Sequence, residues 1–434
     1  MQFSFKLDNP SEVKVCVIGA GEVGLRVCEL FGDAGYSIHV VDIDQKKIEL
    51  LKNGISPIRE DGLSGSIAKL FAEKRFLASL SIAETVPKCN VVIVAVSTPI
   101  CGENANLSPI KACAEDVGKV LSRGTLVVVE SSTYPGVTEE VLQPRFEKNG
   151  MKARVDFGLV QCPERVDPGN IKFKIRNIAR VIGASDEESL SVAKRFYESA
   201  IDAEIFPVSN IKTAEAIKLV ENTFRDVNIA YANELAKLFD GTEVSITEVL
   251  AGASTKPFAF MAHYPGPGVG GECIPVSPRW LGEFAAKHGR ELALVKTARA
   301  INDGMASYVA KKLKKKMGEK KRVLVLGLAY KEDVASTKIS PSKKLIEELK
   351  REKFEVYAHD PLISNEQATS EFGVEWKEVE NADVDAYVLA CAHKQYKEGL
   401  MKIDFKGKIL FDTKNVFAGK ESELKNADYV GLGR

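Results

Sequence analysis

The chain has 434 residues with 60 basic and 60 acidic side chains, so no net field draws it to nucleic acid or to an acidic membrane surface. No apolar run reaches the ~18 residues of a membrane span, and the N-terminal MQFSFKLDNPSEVK lacks an apolar signal core, so a cytoplasmic protein of about three domains is expected. The eight cysteines and five histidines are scattered without metal-ligand spacing, and no metal site is expected.

Residues 13–18 (VKVCVI) form a continuous β-branched apolar run, the pattern of a buried parallel strand. GAGEVG follows, with Gly19, Gly21 and Gly24, and then an apolar helix stopped near Gly35. A second strand, SIHVVD, closes on Asp42. Strand, glycine turn, helix and acidic strand end together predict a dinucleotide-binding turn, in which backbone N–H groups at a helix start meet a pyrophosphate. Asp42 is placed to bind a ribose diol and to repel a 2′-phosphate, favouring NAD. Lys47 is either a solvated helix lysine or a cofactor contact. Further strands are expected at 90–95, 125–130 and 155–160, with a helix near 107–121. Ligands collect at the carboxyl ends of such strands. Thr98 and Thr133 are therefore candidate contacts near the nicotinamide, with a turn role as the alternative for Thr98. Glu164, after a strand and a proline, could act as a base or position water.

Residues 211–239 carry Ile217, Val220, Phe224, Val227, Tyr231, Leu235 and Leu238 at spacings of three and four, which predicts a long amphipathic helix. Lys218 and Asn222 are neighbours one turn apart, a cation and an amide suited to stabilising a developing oxyanion. After a short helix at 245–252 comes PGPGVGGECIPVSPRWL (265–281), whose glycines and prolines exclude helix and central strand. A shaped loop of that kind, with Cys273 expected buried or semi-buried at its centre, reads as functional. Helical sequence resumes from about Arg279 and runs to a lysine-rich end. This all-α segment is too small for much of a core, and its remaining apolar face predicts a homodimer.

RVLVLGLAY (322–330) repeats the strand–glycine theme with Gly327 alone, and a helix start is expected at Ser340-Pro341. Strands are expected at 354–358, 384–390 and 408–412. The result is a second nucleotide-type fold without the pyrophosphate fingerprint, with Tyr330, Lys331 and Lys414 as candidate contacts after strands. The expected fold class is α/β: an N-terminal Rossmann NAD-binding domain (1–207), a central all-α domain with a long helix (208–310), and a C-terminal Rossmann-like nucleotide-type domain (311–434).

GAGEVG, STYPG (132–136), CPERVDPGN (162–170), the Lys218/Asn222 helix, GPGVGGECIPVSP (266–278) and GLAYKED (327–333) occur in this order. Together they resemble the nucleotide-sugar 6-dehydrogenases of the UDP-glucose/GDP-mannose dehydrogenase family, over nearly the whole chain. The CPERV and GPGVGGECIPV forms are most similar to the branch acting on UDP-N-acetylhexosamines. The resemblance implies a homodimer, NAD and two successive oxidations at C6. It implies Cys273 as nucleophile, Lys218 and Asn222 as oxyanion stabilisers, Thr133 as a positioner of water, and Glu164 in the acid–base machinery of thioester hydrolysis. It adds Glu22 and Val23 to the cofactor turn. It adds Arg165, Val166, Tyr264, Gly266, Gly268, Gly270 and Gly271, with Tyr330, Lys331 and Lys414, to the substrate site.

Four positions depart from the family pattern. Glu272 stands where this branch commonly has His, and an adjacent carboxylate disfavours a thiolate. Ser277 stands where the family has Asp. Lys338 and Lys414 stand near where an Arg is common, and lysine lacks the bidentate fork that arginine offers a phosphate. Oxidation of UDP-glucose or GDP-mannose, or a non-catalytic nucleotide-sugar-binding homologue, are the alternative functions.

Overall fold

A computed structural model describes residues 2–58, 62–101, 104–167, 169–170 and 172–434. Pro168 of the CPERVDPGN segment lies outside the described residues. The chain divides into two compact units, one of residues 1–221 and 279–290, the other of 222–278 and 291–434.

Among the described residues of the first unit, eight strands build one sheet: β1 Lys14–Ile18, β2 Ser37–Val41, β3 Phe76–Ser79, β4 Val91–Val94, β5 Leu126–Val129, β6 Gly158–Gln161, β7 Arg180–Ala184 and β8 Ile205–Pro207. Their order is β8-β7-β6-β5-β4-β1-β2-β3. Neighbours run parallel except β6 and β7, which pair antiparallel. The reversal between β1–β2–β3 and β4–β5 is the switch point at which doubly wound sheets bind ligands. The β-branched runs of β1, β4 and β5 are buried on both faces, as a helix-covered parallel sheet requires. Helix α1 (Glu22–Asp33) buries Leu25, Val27, Cys28, Leu30 and Phe31, with spacing that lays one stripe on the sheet.

The second unit holds a parallel sheet of β9 Arg322–Leu326, β10 Glu355–His359, β11 Glu375–Trp376, β12 Ala386–Leu389, β13 Ile409–Asp412 and β14 Asp428–Gly431, in the order β11-β10-β9-β12-β13-β14.

Helix α2 spans Ile211–Phe239, as its periodicity predicts, followed by α3 (Ser277–Lys287), α4 (Ala293–Met317) and α5 (Pro341–Arg351). Helix α2 is the reverse of an ordinary amphipathic helix. Val220, Phe224, Tyr231 and Leu238 of its apolar stripe are 49–65% exposed, while Glu215, Lys218, Asn222, Asp226 and Asn233 are buried. Its polar stripe is therefore the face the fold covers. Buried polar groups are costly unless hydrogen-bonded, so each of these must find a partner. Among the described residues no helix is long and apolar enough to cross a membrane.

Candidate active site

The glycine turn is dictated by close approach. Gly19 has φ +110°, and a Cβ there would lie 2.5 Å from the Ala95 carbonyl oxygen; one on Gly24 would lie 1.8 Å from the Gly19 carbonyl oxygen. Gly21, at the start of α1, meets nothing within 4 Å. Two glycines thus serve packing, and the third leaves open space in front of a helix N-terminus. Glu22 and Val23 form the first turn of α1. Asp42 accepts the Ala20 N–H at 2.6 Å and the Asp44 N–H at 2.9 Å, with the Lys47 ammonium 3.9 Å away. Its carboxylate caps the glycine turn from the end of β2 and keeps lone pairs for a diol. The residues present fit NAD.

At the carboxyl ends of the central strands, Thr98 donates to the Ser132 carbonyl at 2.8 Å, drawing together the segments after β4 and β5. Thr133 is buried and donates to Glu215 Oε1 at 3.0 Å. Glu215 also accepts the N–H groups of Gly136 (2.6 Å) and Thr138 (2.8 Å), so α2 holds the STYPG turn through one carboxylate. Burial pushes the Glu215 carboxyl up, and these bonds offset part of the rise. The sequence reading missed Glu215. Its signal was an acidic residue one turn before Lys218, on the polar stripe of the helix.

Glu164 is buried, and among the described residues its Oε1 has no hydrogen-bond partner. Burial raises its carboxyl above the ordinary value, while the Lys218 and then the Arg180 charges pull it back. A carboxyl shifted upward is tuned for proton transfer nearer neutrality. Arg180, also missed, is buried beside Glu130, 3.8 Å from its carboxylate, and Tyr197 donates to Glu130 at 2.5 Å. Arg165 pairs with Glu221 and donates to the Ala179 carbonyl at 3.0 Å, while Val166 packs against the core of the first unit.

In the second unit the cysteine loop is held at both ends by asparagines of α2, about three turns apart. Asn233 accepts the Gly266 N–H at 2.9 Å and donates to Asn302 at 2.9 Å; Asn302 donates in turn to Asp226, which pairs with Arg299. At the other end Asn222 donates to Ser277 Oγ at 2.8 Å, and Ser277 donates to the Cys273 carbonyl through its hydroxyl (2.9 Å) and its N–H (3.0 Å). The serine that departs from the family pattern ties Asn222 to the cysteine backbone.

The thiol is exposed, which corrects the expectation that Cys273 is buried or semi-buried. The loop is fixed by its backbone, with the Cys273 carbonyl engaged. Every other cysteine whose side chain the structure describes is buried. Glu272 does not stand against the thiol as a lone charge, because it pairs with Lys338 at 2.9 Å. Gly270 and Gly271 lie directly on Tyr330, where a Cβ would come within 3.0 Å of its side chain, and a Cβ on Gly266 would come within 2.8 Å of Lys414 Nζ. Gly268 (φ +146°) rests on Pro341. Tyr264, before the loop, is exposed. Lys331 follows Tyr330 in the loop after β9.

The dinucleotide turn, the switch point and the second nucleotide-type sheet define an NAD-dependent oxidoreductase of α/β class. Family models match along the chain: the UDP-glucose/GDP-mannose dehydrogenase NAD-binding domain over residues 13–201, the central domain over 212–304 and the UDP-binding domain over 324–419. The chain belongs to the UDP-glucose/GDP-mannose dehydrogenase family, whose members are nucleotide-sugar 6-dehydrogenases using NAD. It is 34% identical to the UDP-N-acetyl-D-glucosamine 6-dehydrogenase of Salmonella typhi, covering 95% of this chain and 99% of the relative. It is 33% identical to the UDP-N-acetyl-D-mannosamine dehydrogenase of Pyrococcus horikoshii, covering 97% and 99%. A UDP-glucose dehydrogenase structure from Pyrobaculum islandicum superposes with TM-score 0.88 at 27% identity, covering 99% of this chain and all of that one.

Proposed function

We propose that the protein oxidises C6 of a UDP-N-acetylhexosamine, foremost UDP-N-acetyl-D-mannosamine, to the uronate through a covalent intermediate on Cys273. The observation that carries this reading is the clamped loop, with Asn222 tied through Ser277 to the Cys273 carbonyl and the thiol exposed. Bound NAD supplies the hydride acceptor. The first oxidation removes a hydride from C6 and a proton from its hydroxyl, leaving an aldehyde. A second hydride can leave only from a tetrahedral carbon, so Cys273 Sγ adds to the carbonyl carbon to give a thiohemiacetal. Its oxyanion is stabilised by the Lys218 charge and by the Asn222 N–H that Ser277 does not use. Hydride loss leaves a thioester. Water, placed by Thr133 and deprotonated by Glu164, adds to it, and the C–S bond breaks to return the thiolate.

The same reading assigns Gly19, Gly21, Glu22, Val23, Gly24, Asp42, Lys47, Thr98 and Thr133 to NAD. Glu164, Arg165, Val166, Lys218, Asn222, Tyr264, the loop glycines Gly266, Gly268, Gly270 and Gly271, and Tyr330, Lys331 and Lys414 go to the nucleotide sugar. The domains run 1–207, 208–310 and 311–434. The exposed apolar stripe of α2 supports a homodimer, because a row of half-exposed Val220, Phe224, Tyr231 and Leu238 is surface a second copy could cover. The protein is placed in the cytoplasm, supplying uronate for polysaccharide synthesis. UDP-glucose is the second reading, favoured by the structural likeness to a UDP-glucose dehydrogenase.

A substrate panel read by NADH absorbance tests the sugar, and two NADH per sugar consumed is expected. A ratio of one overturns the double oxidation. Cys273→Ala should end uronate formation, and sustained uronate would remove the thiol from the mechanism. Because the Glu164 carboxyl is raised, hydrolysis should gain rate as pH climbs through a value above the ~4.3 of an ordinary glutamate. Glu164→Gln should abolish that limb in a kcat–pH profile.

A further inference from the structure

Against the segment after β9 lies a buried pair that the proposed mechanism does not use. Asp360, at the end of β10, and His393 are each about 1% exposed. Asp360 Oδ2 accepts the N–H groups of Leu328 (2.6 Å) and Ala329 (2.9 Å) and is 3.1 Å from His393 Nε2. Its Oδ1 accepts the N–H groups of Leu362 (2.8 Å) and Ile363 (3.2 Å). On its other side, His393 Nδ1 accepts the Asp333 N–H at 2.9 Å. Burial works against a charged imidazole, but the Asp360 hydrogen bond and the Cys391 sulfur outweigh it and raise the His393 pKa. The Asp333 N–H aimed at Nδ1 opposes a proton on that nitrogen, so the proton sits on Nε2, toward Asp360.

The pair thus grips the segment after β9 at two places, before and after Tyr330-Lys331. The far grip runs to a residue in an exposed stretch: the Asp333 side chain is 58% exposed, its φ is +58°, and its carboxylate accepts the Lys394 N–H at 3.0 Å. Water could have satisfied that N–H at no cost to folding. A buried imidazole committed to it makes sense if the position of the segment matters.

What rests on the segment is the cysteine loop. A Cβ on Gly270 would come within 2.6 Å of Pro341, 2.8 Å of the Ile339 carbonyl oxygen and 3.0 Å of Tyr330 Cβ. The Gly271 N–H donates to the Lys338 carbonyl at 3.2 Å, and Lys338 pairs with Glu272, the neighbour of Cys273.

We propose that Asp360 and His393 are positioning residues for Cys273, setting the height of residues 327–341 and through them the glycine backbone that presents the thiol. The inference rests on the reading of Cys273 as the reacting group.

The two bonds of His393 can be separated. His393→Gln can keep a donor toward Asp360 but loses the acceptor for Asp333. His393→Asn places an amide oxygen near the Nδ1 position and keeps that acceptor. In the full-length protein, iodoacetamide labelling of Cys273, with Cys273→Ala as the blank, reads the loop without turnover, and steady-state kinetics read it with turnover. His393→Gln should change the labelling rate and raise the KM for the nucleotide sugar on the order of tenfold, leaving the KM for NAD unmoved. His393→Asn should restore both. Glutamine and asparagine variants that behave alike, or equal losses toward both substrates with a lowered Tm, would reduce the imidazole to a core filler and overturn the proposal. If no nucleotide sugar is turned over by the unmodified protein, the functional reading fails, while the labelling comparison still decides the positioning claim.

Discussion

Strands β1 and β9 each end in a glycine held by the neighbouring strands, and the two turns diverge only after that point. Gly19 (φ +110°) donates to the Val41 carbonyl at 2.7 Å, and Gly327 (φ +93°) to the His359 carbonyl at 2.9 Å. A Cβ on either would lie 2.5 Å from a carbonyl oxygen at the next strand end, that of Ala95 or Cys391. Each turn is also met by an aspartate from the following strand, Asp42 or Asp360. In the first unit α1 starts at Glu22, and Gly24 lets its backbone lie on the Gly19 carbonyl. In the second, α5 starts only at Pro341, and Ser342 donates to the Gly327 carbonyl at 2.7 Å where Gly24 would have packed. The inserted residues 328–340 consume the aspartate. Asp42 meets two backbone donors and stays part-exposed, whereas Asp360 is sealed by four and by His393. One strand-and-turn plan yields a part-exposed carboxylate, the one proposed to meet a ribose, in one unit and a sealed carboxylate in the other.

The comparison breaks most visibly at the two aspartates. Asp360→Ala leaves several buried donors unsatisfied and should cost about 4 kcal/mol of stability, seen as a lowered urea midpoint. Asp42→Ala should leave the midpoint nearly unchanged and instead weaken the preference for NAD over NADP about tenfold. Equal destabilisation by the two would erase the distinction. Next in size is Gly24→Ala, whose methyl meets a backbone carbonyl that cannot yield. About 3 kcal/mol and loss of NAD binding by calorimetry are expected. Ser342→Ala removes one buried hydrogen bond and should cost about 1 kcal/mol with NAD binding intact.

Most of this scaffold was legible in the sequence because it is built from periodic patterns. β1, β2, β4, β5, the long helix and the Ser340 cap are where alternation, β-branching and capping residues place them. The strands that escaped notice lack that pattern. Phe76–Ser79 is a short edge strand, Arg180–Ala184 begins on a buried arginine, and Ile205–Pro207 ends in a residue suited only to an edge. The site was legible by residue type and less so by orientation. Periodicity located α2 but pointed to its apolar stripe, whereas the fold covers the polar stripe carrying Glu215, Asn222 and Asn233. Glycine and proline marked residues 265–281 as a loop, yet nothing local said that the thiol would be exposed. Ser277, read from sequence as a missing aspartate, has its role in a hydrogen bond to Asn222, far away along the chain.

The smallest effect expected is also the one that most directly tests how Asp360 is used. Burial works against its charged form, but the His393 bond and then the backbone donors outweigh that penalty and hold its carboxyl below the ordinary value. The folded state therefore favours the anion more than the unfolded chain does. That stabilisation is complete above the ~3.9 of an unfolded aspartate and drains away as pH falls through the lower folded value. Asp360→Asn cannot titrate, so the difference in urea midpoint between it and the unmodified protein should be widest at neutral pH and narrow in acid. A gap that stays constant or widens on acidification would mean that the hydrogen bonds to Asp360 do not depend on its charge, and the contrast with Asp42 would then rest on burial alone.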